Sequence, residues 1–394
     1  MPRLPDLPRP PLPPERAPHS RLKRTVFGKP RDLHDRHLFE HLSLVALLAW
    51  VGLGADGLSS SSYGPDEAFR TLGTHTYLAV AIAALMALTV GVIAAAYSRI
   101  IEEFPHGGGG YLVASKLLGP RVGVFSGCAL LVDYVLTIAV SIAASCDALF
   151  SMLPGEWRAT KVEVAIVLVV ALTLVNIRGV KESVLILTPI FALFLVTHVV
   201  LIVGGVALHF GDIPVVAGGL RDGFSSGLQT LGIGGMLLLV AHAYSLGGGT
   251  YTGIEAVSNG MPIMREPRVR TGRRTMLYMA VSLAFTAAGL LVCYLLFAVT
   301  PEAGKTLNAT LVERFAAGIP GGPTFVVLTL FSEGALLVVA AQAGFLDGPR
   351  VLANMAVDSW APHRFSALSE RLTTANGIVL MGGAAVAALL YTRG

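Results

Sequence analysis

The sequence predicts an all-α, polytopic membrane protein, and three observations carry that prediction. The 394 residues are 54% hydrophobic and only 14% charged, with a mean hydropathy of +0.68. A soluble chain carries about 25% charged residues, so an ordinary cytosolic enzyme is excluded. Nine apolar segments follow one another, each close to or beyond the ~20 residues that cross hydrocarbon as a helix. The lysines and arginines then gather on alternate loops, the signature of a chain threaded through a bilayer.

Residues 1–41 form a proline-rich, charged tail, with nine of the 22 prolines in the first 30 positions. That composition predicts disorder, and with no apolar core it is not a signal peptide. Residues 42–394 read as one transmembrane domain whose segments span 42–71, 76–102, 119–153, 162–178, 182–209, 229–260, 273–299, 323–347 and 375–392. Bare backbone cannot face lipid, so segments of this length must be helices. Placing the tail in the cytoplasm puts 22 of the 29 basic residues inside, the Arg265–Arg274 loop among them, and seven outside. The net charge of +4 is therefore topological, and a nucleic-acid partner is not expected. Cys128, Cys146 and Cys293 all lie in apolar stretches, against a disulfide framework or a zinc site.

Two segments are interrupted, the first and the sixth. The first meets Gly52, Gly54, Asp56 and Gly57, then Ser59–Ser62; the sixth meets Gly247, Gly248, Gly249 and Thr250. Glycine clusters weaken a helix and free backbone groups, which persist in a membrane only where they line a polar cavity. Breaks at corresponding places in two halves point to a transporter's binding site.

Three motifs carry a resemblance. They are Phe104–Tyr111 (FPHGGGGY), Asn176–Ser183 (NIRGVKES), and Pro349–Leu352 with Met355–Asp358 and Pro362. In these the chain resembles the amino acid–polyamine–organocation superfamily, which implies the LeuT-type inverted-repeat fold with broken helices 1 and 6. Within it, Gly54–Pro65, Asp133–Ser141 and Thr250–Ala256 are similar to the KimA-type potassium–proton symporters. Carried over residue by residue, that resemblance implies a potassium site of Asp56, Tyr63, Tyr134, Thr137, Ser141 and Thr252, with Glu255 as the proton-coupling carboxylate. It implies potassium as cargo, a proton as coupling ion, no cofactor, a cell-membrane location and a homodimer in a full-length form. The family continues past its ninth helix, whereas this chain stops at Gly394, so the second repeat is expected to lack its fifth helix.

The residues support part of this on their own. Tyr134, Thr137 and Ser141 fall at i, i+3 and i+7, which stacks three hydroxyls on one helix face. Rings of oxygen dipoles can replace the hydration shell of potassium, although such hydroxyls also serve as polar glue between helices. A carboxylate near the bilayer centre costs ~2.5–3.5 kcal/mol, so Asp56 needs a partner. It could cap the second half-helix or hold a cation. A substrate bearing a carboxylate would be repelled there. Glu255, among apolar and small residues, could exchange a proton during a cycle or pair with a basic residue. Asp133 stands within a helical turn of the hydroxyl face, where it could neutralise a second ion, although a structural pair is the favoured reading; Glu333 in the eighth segment has no assigned role.

His106–Gly109 and Gly223–Gly227 formally fit an esterase's oxyanion loop and nucleophile elbow, but neither is flanked by a strand pattern. The glycine run lacks the lysine of a phosphate loop. An enzyme is not expected. The sequence favours import of potassium with protons, with two alternatives: a proton-coupled amino acid or polyamine permease, and a transport-inactive truncated homologue.

Overall fold

The computed structural model describes residues 44–107, 109–179, 184–369 and 373–393. The proline-rich tail and the Val180–Ser183 part of the second motif lie outside them. Fourteen α-helices make up the described residues, joined by turns and short 3-10 segments, with no strand beyond one isolated bridge. They are α1 (Ala46–Ser59), α2 (Gly64–Leu72), α3 (Ala79–Glu103), α4 (Gly109–Leu118), α5 (Pro120–Phe150), α6 (Lys161–Ile177) and α7 (Val184–Leu208). There follow α8 (Ile213–Thr230), α9 (Gly232–Leu246), α10 (Ala256–Asn259), α11 (Arg268–Leu296), α12 (Leu307–Ala316), α13 (Gly322–Val357) and α14 (Ala375–Thr392).

Eight described spans are long and apolar enough to cross a membrane, one fewer than the nine expected. The first segment drops out because its break splits it into α1 and α2, of 14 and nine residues. The packing repeats with a period of five segments. The first segment lies against the sixth, α3 against α11, α5 against α13, and α6 against α14. The first four segments thus each pack against the segment five places later, an arrangement consistent with two structurally related halves.

Close approach of small residues builds these contacts. The Ser145 hydroxyl of α5 donates to the Gly334 carbonyl of α13 at 2.8 Å. A β-carbon on Gly344 of α13 would stand 2.6 Å from Ile138 and 2.7 Å from the Tyr134 carbonyl. Without a hydrophobic force between helices in lipid, such fits and hydrogen bonds hold the bundle. Trp50 anchors α1 by donating to Ser282 of α11 at 3.2 Å, with its ring edge-on to Phe191 of α7 at 4.9 Å.

Two elements differ from the sequence reading. The loop between the fifth and sixth segments contains α8, an 18-residue helix, and the Gly223–Gly227 elbow-like motif lies inside it. A helix interior cannot form the strained strand-to-helix turn that an elbow needs. The eighth segment, expected to end near residue 347, runs through Pro349 to Val357.

Candidate functional site

The break in the first segment falls one turn later than its glycines suggest. Gly52, Gly54, Asp56 and Gly57 all belong to α1, which ends at Ser59. The chain then tightens into a 3-10 turn at Ser60–Ser62 before α2 begins. Serine hydroxyls cause the change. Ser59, Ser60 and Ser61 donate back to the carbonyls of Asp56, Gly57 and Leu58 at 2.7, 2.5 and 2.7 Å. Hydroxyls that bond carbonyls three residues back compete with the helix ladder. Pro65, in the first turn of α2, has no N–H with which to continue it.

The second break follows α9. A 3-10 turn covers Gly247–Tyr251, Thr252 is extended, and Gly253 adopts the left-handed φ of 81°. The two breaks fit into each other. Ser60 donates to the Thr250 carbonyl at 2.7 Å, and a β-carbon on Gly64 would stand 2.0 Å from the Thr250 hydroxyl. A β-carbon on Gly253 would stand 2.7 Å from the Asp56 carboxyl carbon. The carbonyl ends of α1 and α9 therefore meet in mid-bundle. Helix C-termini carry partial negative charge, which favours a cation between them.

Around this junction the structure brings some of the expected residues together. The Tyr63 hydroxyl lies 3.2 Å from both the Gly249 carbonyl and the Thr252 hydroxyl, and Thr252 donates to the same carbonyl at 2.9 Å. Asp56 is 7% exposed, yet no described residue donates a hydrogen bond to its carboxylate or forms an ion pair with it. It does not cap α2: no described hydrogen bond joins its carboxylate to that helix, and the N-cap residue Tyr63 makes no side-chain cap either. Asp56 is within electrostatic reach of Glu255, Asp133 and Asp347. Of these four acids only Asp347 has a described cation, Arg350 at 2.9 Å. The basic partner considered for Glu255, and a structural pair for Asp133, are absent among the described residues.

Tyr134, Thr137 and Ser141 are buried on one face of α5. The Tyr134 hydroxyl accepts from Asn259 of α10 at 3.3 Å, and that amide also donates to Asp347 at 3.1 Å. No described hydrogen bond reaches the hydroxyls of Thr137 and Ser141 or joins them to Asp56, Tyr63 or Thr252. Asn259 and Asp347 are additions that sequence reasoning missed. Asp347 reads in sequence as half of a surface i, i+3 pair with Arg350, and Asn259 as the polar end of a helix.

The family model for amino acid permeases matches residues 42–392. The chain is 33% identical over 380 residues to the potassium transporter KimA of Bacillus subtilis (strain 168). That alignment covers 95% of this chain but 60% of the relative, so the chain spans about three fifths of the relative's length.

Proposed function

From the premise that this chain belongs to the amino acid permease family, we propose that it imports potassium by proton symport across the cytoplasmic membrane. Family and relative support a membrane transport protein rather than an enzyme. The observation that carries the cation reading is Asp56. A buried carboxylate without a protein partner, set between two helix C-termini and beside further acids, is stabilised by a cation and repels a carboxylate substrate. In this reading Asp56, Tyr63, Tyr134, Thr137, Ser141 and Thr252 supply the oxygens that replace water around potassium. Glu255 follows the second break within electrostatic reach of Asp56, so protonating it changes how much negative charge the ion meets. Charge alone would make proton and cation compete, so in symport protonated Glu255 and the bound ion must both favour the same transporting conformation. The Leu44 end of the first segment lies toward the cytoplasm and the Thr306 side toward the exterior, and no resident cofactor is involved.

The family's amino acid substrates keep a permease as the second reading. One experiment separates the two. Proteoliposomes of the purified protein are loaded at high internal pH and given external rubidium tracer. Uptake that potassium displaces and amino acids leave unchanged supports the proposal. Displacement by an amino acid, or uptake of a labelled amino acid in place of rubidium, assigns the permease.

A further inference from the structure

A second polar site adjoins Tyr63 and is not lined by Gly249 or Thr252. A cavity of about 270 Å³, on the side of the molecule that carries Thr306, is lined by Ser62, Tyr63, Asp66, Asp147 and Glu333 among others. Most of its charged groups are matched. Arg70 pairs with Asp66 and also donates to the Lys305 carbonyl at 2.9 Å. Asp66 further accepts from the Leu307 amide at 2.7 Å, and Lys161 pairs with Asp147 at 2.7 Å.

Glu67, at the cavity's exposed edge, has no described ion pair, and the buried exception is Glu333 of α13. It is 1% exposed, and its Oε1 accepts from Asn308 Nδ2 at 3.1 Å. Its Oε2 is sealed from solvent without a hydrogen-bond partner, and so is the Ser62 hydroxyl oxygen. The two residues line the same cavity and are bridged by Asn308, whose Nδ2 also donates to the Ser62 carbonyl at 3.0 Å. Asn308 is fixed in turn: its Oδ1 accepts from the buried Tyr294 hydroxyl. If Glu333 served only to hold Asn308, one oxygen would suffice. Two orphaned oxygens, one of them carboxylate, would then remain buried at a cost of about 1–3 kcal/mol each.

We propose that Glu333 and Ser62 form a second monovalent-cation site, occupied before the ion passes Tyr63 to Asp56. The proposal rests on the cation reading above. A single buried carboxylate without a cation partner suits one monovalent charge, whereas a divalent ion generally recruits several charged oxygens. The site shares Tyr63 with the inner one, and its hydroxyl and carboxylate begin to strip water from the ion there.

Equilibrium binding of rubidium tracer to the purified protein tests this, alongside the rubidium dependence of uptake in proteoliposomes. The wild type should bind two ions, and Glu333→Gln and Asp56→Asn one each. Glu333→Gln keeps an acceptor for Asn308 while removing the charge. Ser62→Ala gives an independent handle, and both variants should raise the KM for external rubidium about tenfold, the loss of one charged or polar ligand. Wild-type stoichiometry and KM in both variants would overturn the second site. A single wild-type ion, lost in Asp56→Asn and kept in Glu333→Gln, overturns the second site alone. A wild type that binds no rubidium overturns the cation reading itself.

Discussion

Gly253 lies against Asp56 so closely that a β-carbon there would come within 2.7 Å of the carboxyl and 2.6 Å of the Gly57 amide nitrogen. The second break thus forms one wall of the Asp56 pocket in bare backbone. Its φ of 81° is a second requirement for glycine. Gly253→Ala meets both objections: ~1–2 kcal/mol for the left-handed conformation and ~1–3 kcal/mol for overpacking. The variant should melt earlier in detergent and lose rubidium uptake. Wild-type melting together with wild-type uptake would show that the two breaks do not pack as described.

Asp56→Asn removes the buried charge and keeps the shape. Losing a desolvated charge that faces an ion costs about 2–5 kcal/mol, so rubidium affinity should weaken roughly thirtyfold or more. Membrane-inserted protein should remain at its normal level, because no described hydrogen bond or ion pair depends on this carboxylate. Tracer binding and quantitative blotting measure the two. Unchanged affinity would remove Asp56 from the site.

Much of this architecture is legible in the sequence because hydrocarbon thickness leaves few options for apolar runs. The two broken segments are legible for the same reason: polar and glycine-rich stretches interrupt otherwise continuous runs. The position of the first break is not, because Gly52–Gly57 look weaker than they are. In place, Gly54 and Gly57 are contact points for Trp50 and Met279, and the helix persists until the Ser59–Ser61 hydroxyls bond their own carbonyls. Helix α8 was hidden by Pro214 and four glycines. Two of these, Gly223 and Gly227, make room for the Tyr77 ring, a long-range fit that local propensity does not encode. At Pro349 packing again prevails. The ring breaks a backbone bond, yet Gly377 of α14 is pressed against it and α13 continues to Val357.

Tyr63 and Thr252 hold the two breaks together through their hydroxyls and the Gly249 carbonyl. Tyr63→Phe and Thr252→Val should each weaken rubidium binding about five- to tenfold, from ~1 kcal/mol per neutral hydrogen bond. Because both hydroxyls meet at one carbonyl, the double variant should lose less than the sum. Strict additivity in a double-mutant cycle would mean the pair does not act as one unit.

The sidedness of charge predicts topology. Arg270 lies on the face with Leu44 and Met264, and Glu302 lies beside Lys305 on the other. Both side chains are exposed, so a cysteine at either can be labelled in a background where the exposed native Cys128 is replaced by serine. In intact cells an impermeant maleimide should label Glu302→Cys at once and Arg270→Cys only after permeabilisation. Labelling in the reverse order would invert the whole arrangement.

The proposed coupling assigns the proton to Glu255, which follows Gly253 and lies within electrostatic reach of Asp56, Asp133 and Asp347. For a proton to drive the ion, the protonated and ionised forms must favour different conformations, since only differential affinity biases an equilibrium. Glu255→Gln holds the side chain permanently in a neutral form of the same shape. Ion binding should survive, because Asp56 keeps its charge, while release of the proton to the inside becomes impossible. Proteoliposomes of Glu255→Gln should therefore bind rubidium yet accumulate it no faster with an inwardly directed proton gradient than without one. The wild type should accelerate under the same gradient, which shows that the vesicles hold it. Acceleration of the Gln variant to the wild-type extent would take the proton away from Glu255. Asp133, half-buried on α5 with no described ion pair, would then be the carboxylate to replace next.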